Sequence, residues 1–268
     1  AIGAGANQVA SIAFVASEMA PFAKTGGLAD VIGALPKALA ALGHRVTVFL
    51  PRYGSVPFPP GAYIGGADVP LDGAPRSAGY FERFLGDRVR VVFVDYAPFF
   101  DRPFPYGDSR GDYGDNRLRF AFFARAVLEF CRTRGERPDV FHAHDWQAGL
   151  LPVYLKSFYW TDRVLYRSPT VFTIHNLAYQ GRFWAADWHL LNLDPRYFVP
   201  EFLEFYGFIN FLKAGLVFAD ALTTVSPRYA IEIQTPALGE GLDGVIRARA
   251  ERLRGILNGI DYRVWDPA

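Results

Sequence analysis

Five apolar residues in a row, Ile12-Ala13-Phe14-Val15-Ala16, precede a stretch from Gly27 to Leu42 whose apolar positions recur every three or four residues. The first pattern predicts a buried β-strand and the second a helix, stopped by Gly43. Pro36 falls inside that helix and predicts a kink or break, because proline lacks the N–H that would bond to the preceding turn. A second strand over residues 45–50 then completes a right-handed β-α-β unit, the seed of a parallel sheet. Further strands are expected at 89–94, 139–144, 170–174 and 254–257. Helices are expected at 116–134 (amphipathic), 148–158, around 207–219 and around 242–253. Residues 55–79, rich in glycine and proline, read as a loop-rich insertion with short strands, and 95–115 as a long irregular segment. The alternation of strands and helices predicts a doubly wound α/β fold with a mostly parallel, Rossmann-like sheet.

Composition narrows the function classes. The 268 residues are 51% hydrophobic with a net charge of +1, and the basic residues are scattered along the chain, so no attraction to nucleic acid or to an anionic membrane is indicated. The long apolar stretch 208–225 is interrupted by Asn210, Lys213 and Asp220, against a membrane span. With one cysteine, Cys131, there is no internal disulfide, and a reducing compartment is expected: the cytoplasm, or alternatively a plastid stroma. No basic-then-apolar secretory signal opens the chain. Residues 1–10 are expected to be flexible, residues 11–258 to form the domain, and residues 259–268 to begin a linker to a further domain. A start without methionine and an end at Pro267-Ala268 read as a piece of something longer.

In an open parallel sheet, ligands gather at the carboxyl ends of the strands, and four polar clusters stand just past such ends. Lys24-Thr25-Gly26-Gly27 opens the first helix, where backbone N–H groups, the helix dipole and an ammonium converge on an anion; paired glycines admit a bulky one such as a diphosphate. His142-Ala143-His144-Asp145 ends a strand. Its two histidines share a face and, with Asp145 and His175, would suit a divalent metal; alternatively Asp145 accepts hydrogen bonds from sugar hydroxyls beside the apolar wall of Trp146. Thr173-Ile174-His175-Asn176 places a histidine at a buried strand's tip, able to bond a hydroxyl or to present its carbonyl to developing positive charge, or simply to be satisfied in the core. Asn258-Gly259-Ile260-Asp261 either touches a substrate or makes a turn, and Tyr106 belongs to a long loop able to act as a lid. No Gly-x-Ser-x-Gly elbow supports acyl chemistry.

Six ordered blocks carry a resemblance: Lys24-Thr25-Gly26-Gly27-Leu28-Ala29-Asp30-Val31, His142-Ala143-His144-Asp145-Trp146, His175-Asn176-Leu177-Ala178-Tyr179-Gln180-Gly181, Asn210-Phe211-Leu212-Lys213-Ala214-Gly215, Thr224-Val225-Ser226-Pro227 and Leu257-Asn258-Gly259-Ile260-Asp261. Together they resemble the bacterial glycogen synthase and plant starch synthase family. The resemblance implies the N-terminal half of a two-Rossmann (GT-B) retaining glucosyltransferase that moves glucose from ADP-glucose, or UDP-glucose, to the non-reducing end of an α-1,4-glucan, without metal or other cofactor. It implies that Lys24 meets the donor phosphates or the transferred glucose, that Gly26 and Gly27 supply N–H groups, that Asp30 supports this loop and that Tyr106 lines the glucose site. Asp145 and His175 fall on positions needed for activity, His175 stabilising the charge at the anomeric carbon, with Asn176, Gln180 and Asn258 lining the pocket. Such enzymes continue into a second Rossmann domain that grips most of the nucleotide, so this chain alone is expected to turn over little or not at all. The alternatives are a stand-alone glucan-binding module and a metal-dependent hydrolase.

Overall fold

The computed structural model describes residues 9–56, 61–86 and 88–259; the expected flexible start and linker lie, apart from Val9, Ala10 and Gly259, outside them. In chain order the elements begin with β1 (Ser11–Val15), α1 (Gly27–Ala41), β2 (Arg45–Pro51), β3 (Ala62–Leu71), β4 (Ala74–Leu85) and β5 (Val89–Asp95). A short α2 (Ala97–Phe100), the small ribbon β6 (Gly107–Asp108) and β7 (Gly111–Asp112), and α3 (Asn116–Arg134) follow. Next come β8 (Val140–His144), α4 (Leu151–Ser157), β9 (Thr170–Ile174), β10 (Arg182–Trp184), β11 (Glu204–Phe205), β12 (Phe208–Asn210) and α5 (Phe211–Phe218). The chain closes through β13 (Ala221–Thr224), α6 (Pro227–Glu232), α7 (Asp243–Arg247) and β14 (Leu253–Gly255).

Nine strands form one sheet in the order β14-β13-β9-β8-β1-β2-β5-β4-β3. All neighbours from β14 to β5 run parallel, while β4 and β3 extend the sheet as antiparallel strands. The chain grows outward from β1 through β2 and β5, then returns to the other side of β1 with β8 and continues through β9 and β13. The strand order therefore reverses between β1 and β8, and that crevice is where an open α/β sheet receives its ligand. The doubly wound fold read from the sequence is the fold observed.

Several local expectations need correcting. Pro36 neither breaks nor ends α1, which runs through it to Ala41. Proline forfeits one N–H, but Leu28, Ala29, Ile32, Gly33, Pro36 and Ala40 are all buried, and that apolar stripe outweighs the lost bond. The supposed loop-rich insertion is a long hairpin, β3 paired with β4. Asp72 and Gly73, at φ 54° and 70°, make its two-residue turn, and Asp-Gly between strand-like runs is the signal that identifies such a hairpin.

Helix α3 has the bounds expected but is not amphipathic: every residue from Arg119 to Cys131 is buried. Its charged side chains find partners inside the protein, although Arg119 Nη2 and Arg125 Nε and Nη1 are buried without a hydrogen bond among the described residues. Arg119 donates to the carbonyls of Phe99 and Pro105 and to Asn116 Oδ1. Arg125 lies over the ring of Phe158, 4.1 Å from its centroid, and Glu129 accepts from Tyr159 and Arg132. The other expected helices are shorter, because residues 208–210 pair as β12, residues 146–148 form one tight turn before α4, and 242–253 divides between α7 and a further turn. No helix among the described residues is long and apolar enough to cross a membrane.

Candidate active site at the carboxyl edge of the sheet

The chain tips that leave β1 and β8 emerge side by side, since Val15 pairs with Ala143 in adjacent parallel strands. From the first tip comes Glu18, 4% exposed, which sequence reasoning missed. Its carboxylate accepts from the N–H groups of Thr25 at 2.5 Å and Gly26 at 3.1 Å, from the Thr25 hydroxyl at 2.6 Å, and from Tyr106 at 2.6 Å. Ser17 shares the Tyr106 hydroxyl at 2.7 Å. The amides of the glycine turn are thus not bare, as the sequence suggested; two of them already hold an anion from the protein itself. The available signal was a charged residue standing two positions past an apolar strand.

Lys24 pairs with Asp30 at 2.6 Å on the exposed side of the same turn. Both are more than a third exposed, so the pair contributes little to stability and leaves the ammonium within reach of a ligand. A Cβ on Gly26 or Gly27 would meet no atom of the described residues within 4 Å, and Gly26 is extended at φ −154°. Neither glycine is demanded by the protein's own packing there, and both leave open space above the turn.

From the second tip comes Asp145, held at φ 56° and ψ −177°, a region that residues with a side chain avoid at a cost of about 1–3 kcal/mol. Its Oδ1 accepts the His175 N–H at 2.8 Å. Enclosure by protein raises the Asp145 carboxyl to about 7, against the pull of N–H bonds from His175 and Asn176 and with a further push from the Glu18 charge. The same Glu18 charge acts on His175, so the two tips form one electrostatic unit.

His142, His144, His175 and Asn258 line a hollow of about 530 Å³ between α1 and the face of β8, β9 and β13. Val31, Leu35 and Ala38 of α1 form its apolar wall. Within it His144 Nδ1 lies 3.0 Å from His175 Nε2, and His142 Nε2 lies 2.6 Å from the Thr173 hydroxyl, which reaches Thr223 at 2.5 Å. Burial holds all three imidazoles well below their ordinary range: His142 at about 3, His175 at about 4, and His144 lower than usual from burial and its histidine neighbours. They are neutral near pH 7.

Of the expected site residues only His175 and Asn258 line this hollow; Lys24, Gly26, Gly27, Asp30, Tyr106, Asp145, Asn176 and Gln180 do not. Gln180 is buried between Asn210, whose side chain donates to it at 2.8 Å, and the Glu240 carbonyl, and it does not line the hollow. Asn176 is exposed and spends its side-chain oxygen on the Ala178 N–H in a local turn. Tyr106, read as a lid, is tied down onto Glu18. Among the described residues no group of three or more His, Cys, Asp or Glu is arranged to hold a metal ion, so the hydrolase alternative gains no donor set. A larger cavity of about 700 Å³ opens at the amino edge of the sheet, beside Arg45, Arg88 and Arg137, and contains none of these residues.

The buried histidines set a pH dependence of stability. A histidine neutral in the folded state and ordinary in the unfolded state lets the unfolded chain bind more protons below pH 6.5, so stability is lost as pH falls from there toward 3. Asp145 acts oppositely: its raised folded value makes the folded state the better proton binder between pH 3.8 and about 7. Urea unfolding is therefore expected to show lower stability at pH 5.5 than at pH 7.5, and a steeper loss in Asp145→Asn. Equal stability at the two pH values in both proteins would overturn the assignment of neutral imidazoles.

An open parallel sheet with its strand order reversing at a crevice ringed by polar chain tips defines a Rossmann-like domain of the class that binds ligands at the sheet's carboxyl edge. The family model described as the starch synthase catalytic domain matches residues 11–248, and the chain belongs to that family. It is 49% identical over 257 residues to a glycogen synthase of Koribacter versatilis, covering 96% of this chain and 53% of that protein. It is 52% identical over 260 residues to a glycogen synthase of Anaeromyxobacter, covering 96% and 54%. The catalytic domain of starch synthase IV from Arabidopsis thaliana, solved bound to ADP and acarbose, superposes with a TM-score of 0.89 at 31% identity over 97% of this chain and 54% of that one. The chain thus spans about half the length of the curated relatives it matches.

Proposed function

We propose that residues 11–258 form the N-terminal, acceptor-side half of a retaining glucosyltransferase that adds glucose from ADP-glucose, or less favourably UDP-glucose, to the non-reducing end of an α-1,4-glucan such as glycogen. The observation that carries this reading is the near-complete superposition on a starch synthase solved with ADP and acarbose, a nucleotide and a glucan-like sugar. It favours the adenine nucleotide over the uridine one. A C-terminal domain completes the cleft, and the complete protein works in the cytoplasm. The chain by itself turns over little or not at all.

In this reading the open space over Gly26 and Gly27 admits the donor's phosphates, and Lys24 exchanges its bond to Asp30 for one to phosphate. Asp145 anchors a sugar hydroxyl while its strained backbone keeps the carboxyl on the His175 peptide. His175 stabilises the positive charge that develops at the anomeric carbon; its imidazole is neutral and engaged by His144, which leaves the main-chain carbonyl as the stabilising dipole. Tyr106 and Asn258 border the site, and Asn176 reaches it only by giving up its turn.

The direct test is glucose incorporation into glycogen from ADP-glucose and from UDP-glucose by the protein extended to its natural C-terminus. Transfer from neither would refute the reading and leave a glucan-binding module. Lys24→Ala in that protein is expected to raise KM for the donor roughly 10-fold or more while glucan affinity stays unchanged, as for loss of one charge-assisted phosphate contact. An unchanged donor KM and kcat would remove Lys24 from the site.

A further inference from the structure

His144 engages the ring of His175 from the tip of β8. It is 1% exposed at the last position of β8, its ring stacked on Phe14 at 5.5 Å with an interplanar angle of 10° and on His142 at 4.2 Å. Held between these rings, it turns Nδ1 toward His175 Nε2 at 3.0 Å. The next residue, Asp145, takes the His175 N–H. The tip of β8 therefore grips His175 twice, by ring and by main chain.

We propose that His144 is a positioning residue for His175, holding its imidazole in one orientation through the Nδ1 to Nε2 hydrogen bond. The inference rests on the glucosyltransferase reading for its catalytic consequence, but not for the geometry. Two neutral imidazoles joined in this way share a single proton in the middle. Either His144 Nδ1–H donates, leaving His175 protonated on Nδ1, or His175 Nε2–H donates, leaving its Nδ1 bare. The outer nitrogens, His144 Nε2 and His175 Nδ1, are both buried with no hydrogen-bond partner among the described residues, so the shared bond couples the two tautomers and is the hydrogen bond that orients the His175 ring. Removing the bond uncouples the His175 tautomer from that of His144 and frees the ring to rotate, and the peptide that carries the stabilising carbonyl loses one of its two anchors.

Two substitutions separate this role from packing. His144→Phe keeps the stacked ring volume and deletes the bond; His144→Asn sacrifices volume but places an amide atom where Nδ1 stood. NMR of the imidazole signals of the full-length protein is expected to show one ring orientation for His175 in the wild type, averaging over several in His144→Phe, and one orientation again in His144→Asn. Turnover is expected to fall roughly 10- to 100-fold in His144→Phe with glucan KM little changed, and to be substantially restored in His144→Asn. If His144→Phe retains both the single ring orientation and wild-type turnover, or if it outperforms His144→Asn, the role is packing alone and the proposal fails. A wild-type full-length protein without transferase activity would refute the glucosyltransferase reading while the ring-orientation measurement still decided the pairing.

Discussion

His175→Ala, introduced into the protein extended to its natural C-terminus, is expected to lower glucose transfer by roughly 100- to 1,000-fold while glucan affinity changes little, the scale of disordering a preorganised stabilising dipole. The physical reason lies in how much of the site converges on this residue. Its N–H is taken by Asp145, its ring by His144, and its neutral state is enforced by burial, so the residue arrives at the reaction already ordered. Alanine keeps the peptide and its N–H bond to Asp145 but deletes the ring that His144 holds. Because charge at the anomeric carbon develops only in the transition state, kcat should carry the loss and KM should not. Initial rates of labelled glucose incorporation, with glucan binding measured in parallel, check both halves. Turnover near the wild-type rate would remove His175 from catalysis.

The largest expected effect on stability comes from Gly149→Ala. Gly149 has ordinary helical angles, φ −62° and ψ −26°, so no backbone strain requires glycine there. Space does. A Cβ would lie 2.1 Å from the Phe211 carbonyl oxygen and 2.8 Å from its carbon, main-chain atoms that no side-chain rotation can move aside. Phe211 begins α5, and its N–H and that of Leu212 bond to the carbonyls of Gly181 and Gln180. A methyl at 149 therefore pushes α5 off the tight turn that follows Asp145 and strains the segment leading back to His175. The expected loss is about 3 kcal/mol or more, at or beyond the upper end of ordinary overpacking because backbone must shift. A clear fall in the urea midpoint at unchanged slope is the predicted signature. Stability equal to wild type would show that the two segments separate without cost.

How much of this was legible beforehand depended on the range of the interaction. Local signals served well: α3 and β9 lie where the hydrophobic runs placed them, and the polar tips do follow strands that run parallel. The hairpin of β3 and β4 was legible too, through Asp72-Gly73, but the surrounding glycines and prolines disguised it as loop. The burial of α3 was not, because its arginines and Glu129 look solvent-facing until Phe158, Tyr159 and the Phe99 and Pro105 carbonyls are brought to them from elsewhere in the chain.

The amino-acid sequence by itself determined the periodicity of each element, the glycine turn after β1, and which polar residues stand at strand ends, since all of these follow from neighbours a few positions apart. Only the tertiary structure decided which tips meet: that Glu18 fills the amides of the turn, that His144 and Asp145 close on His175, and that Gln180 turns away to Asn210. Those pairings depend on strand order, with β8 rather than β2's successor lying beside the second flank of β1. Such order is set by burying the faces of the whole sheet at once, and no local window of residues contains it.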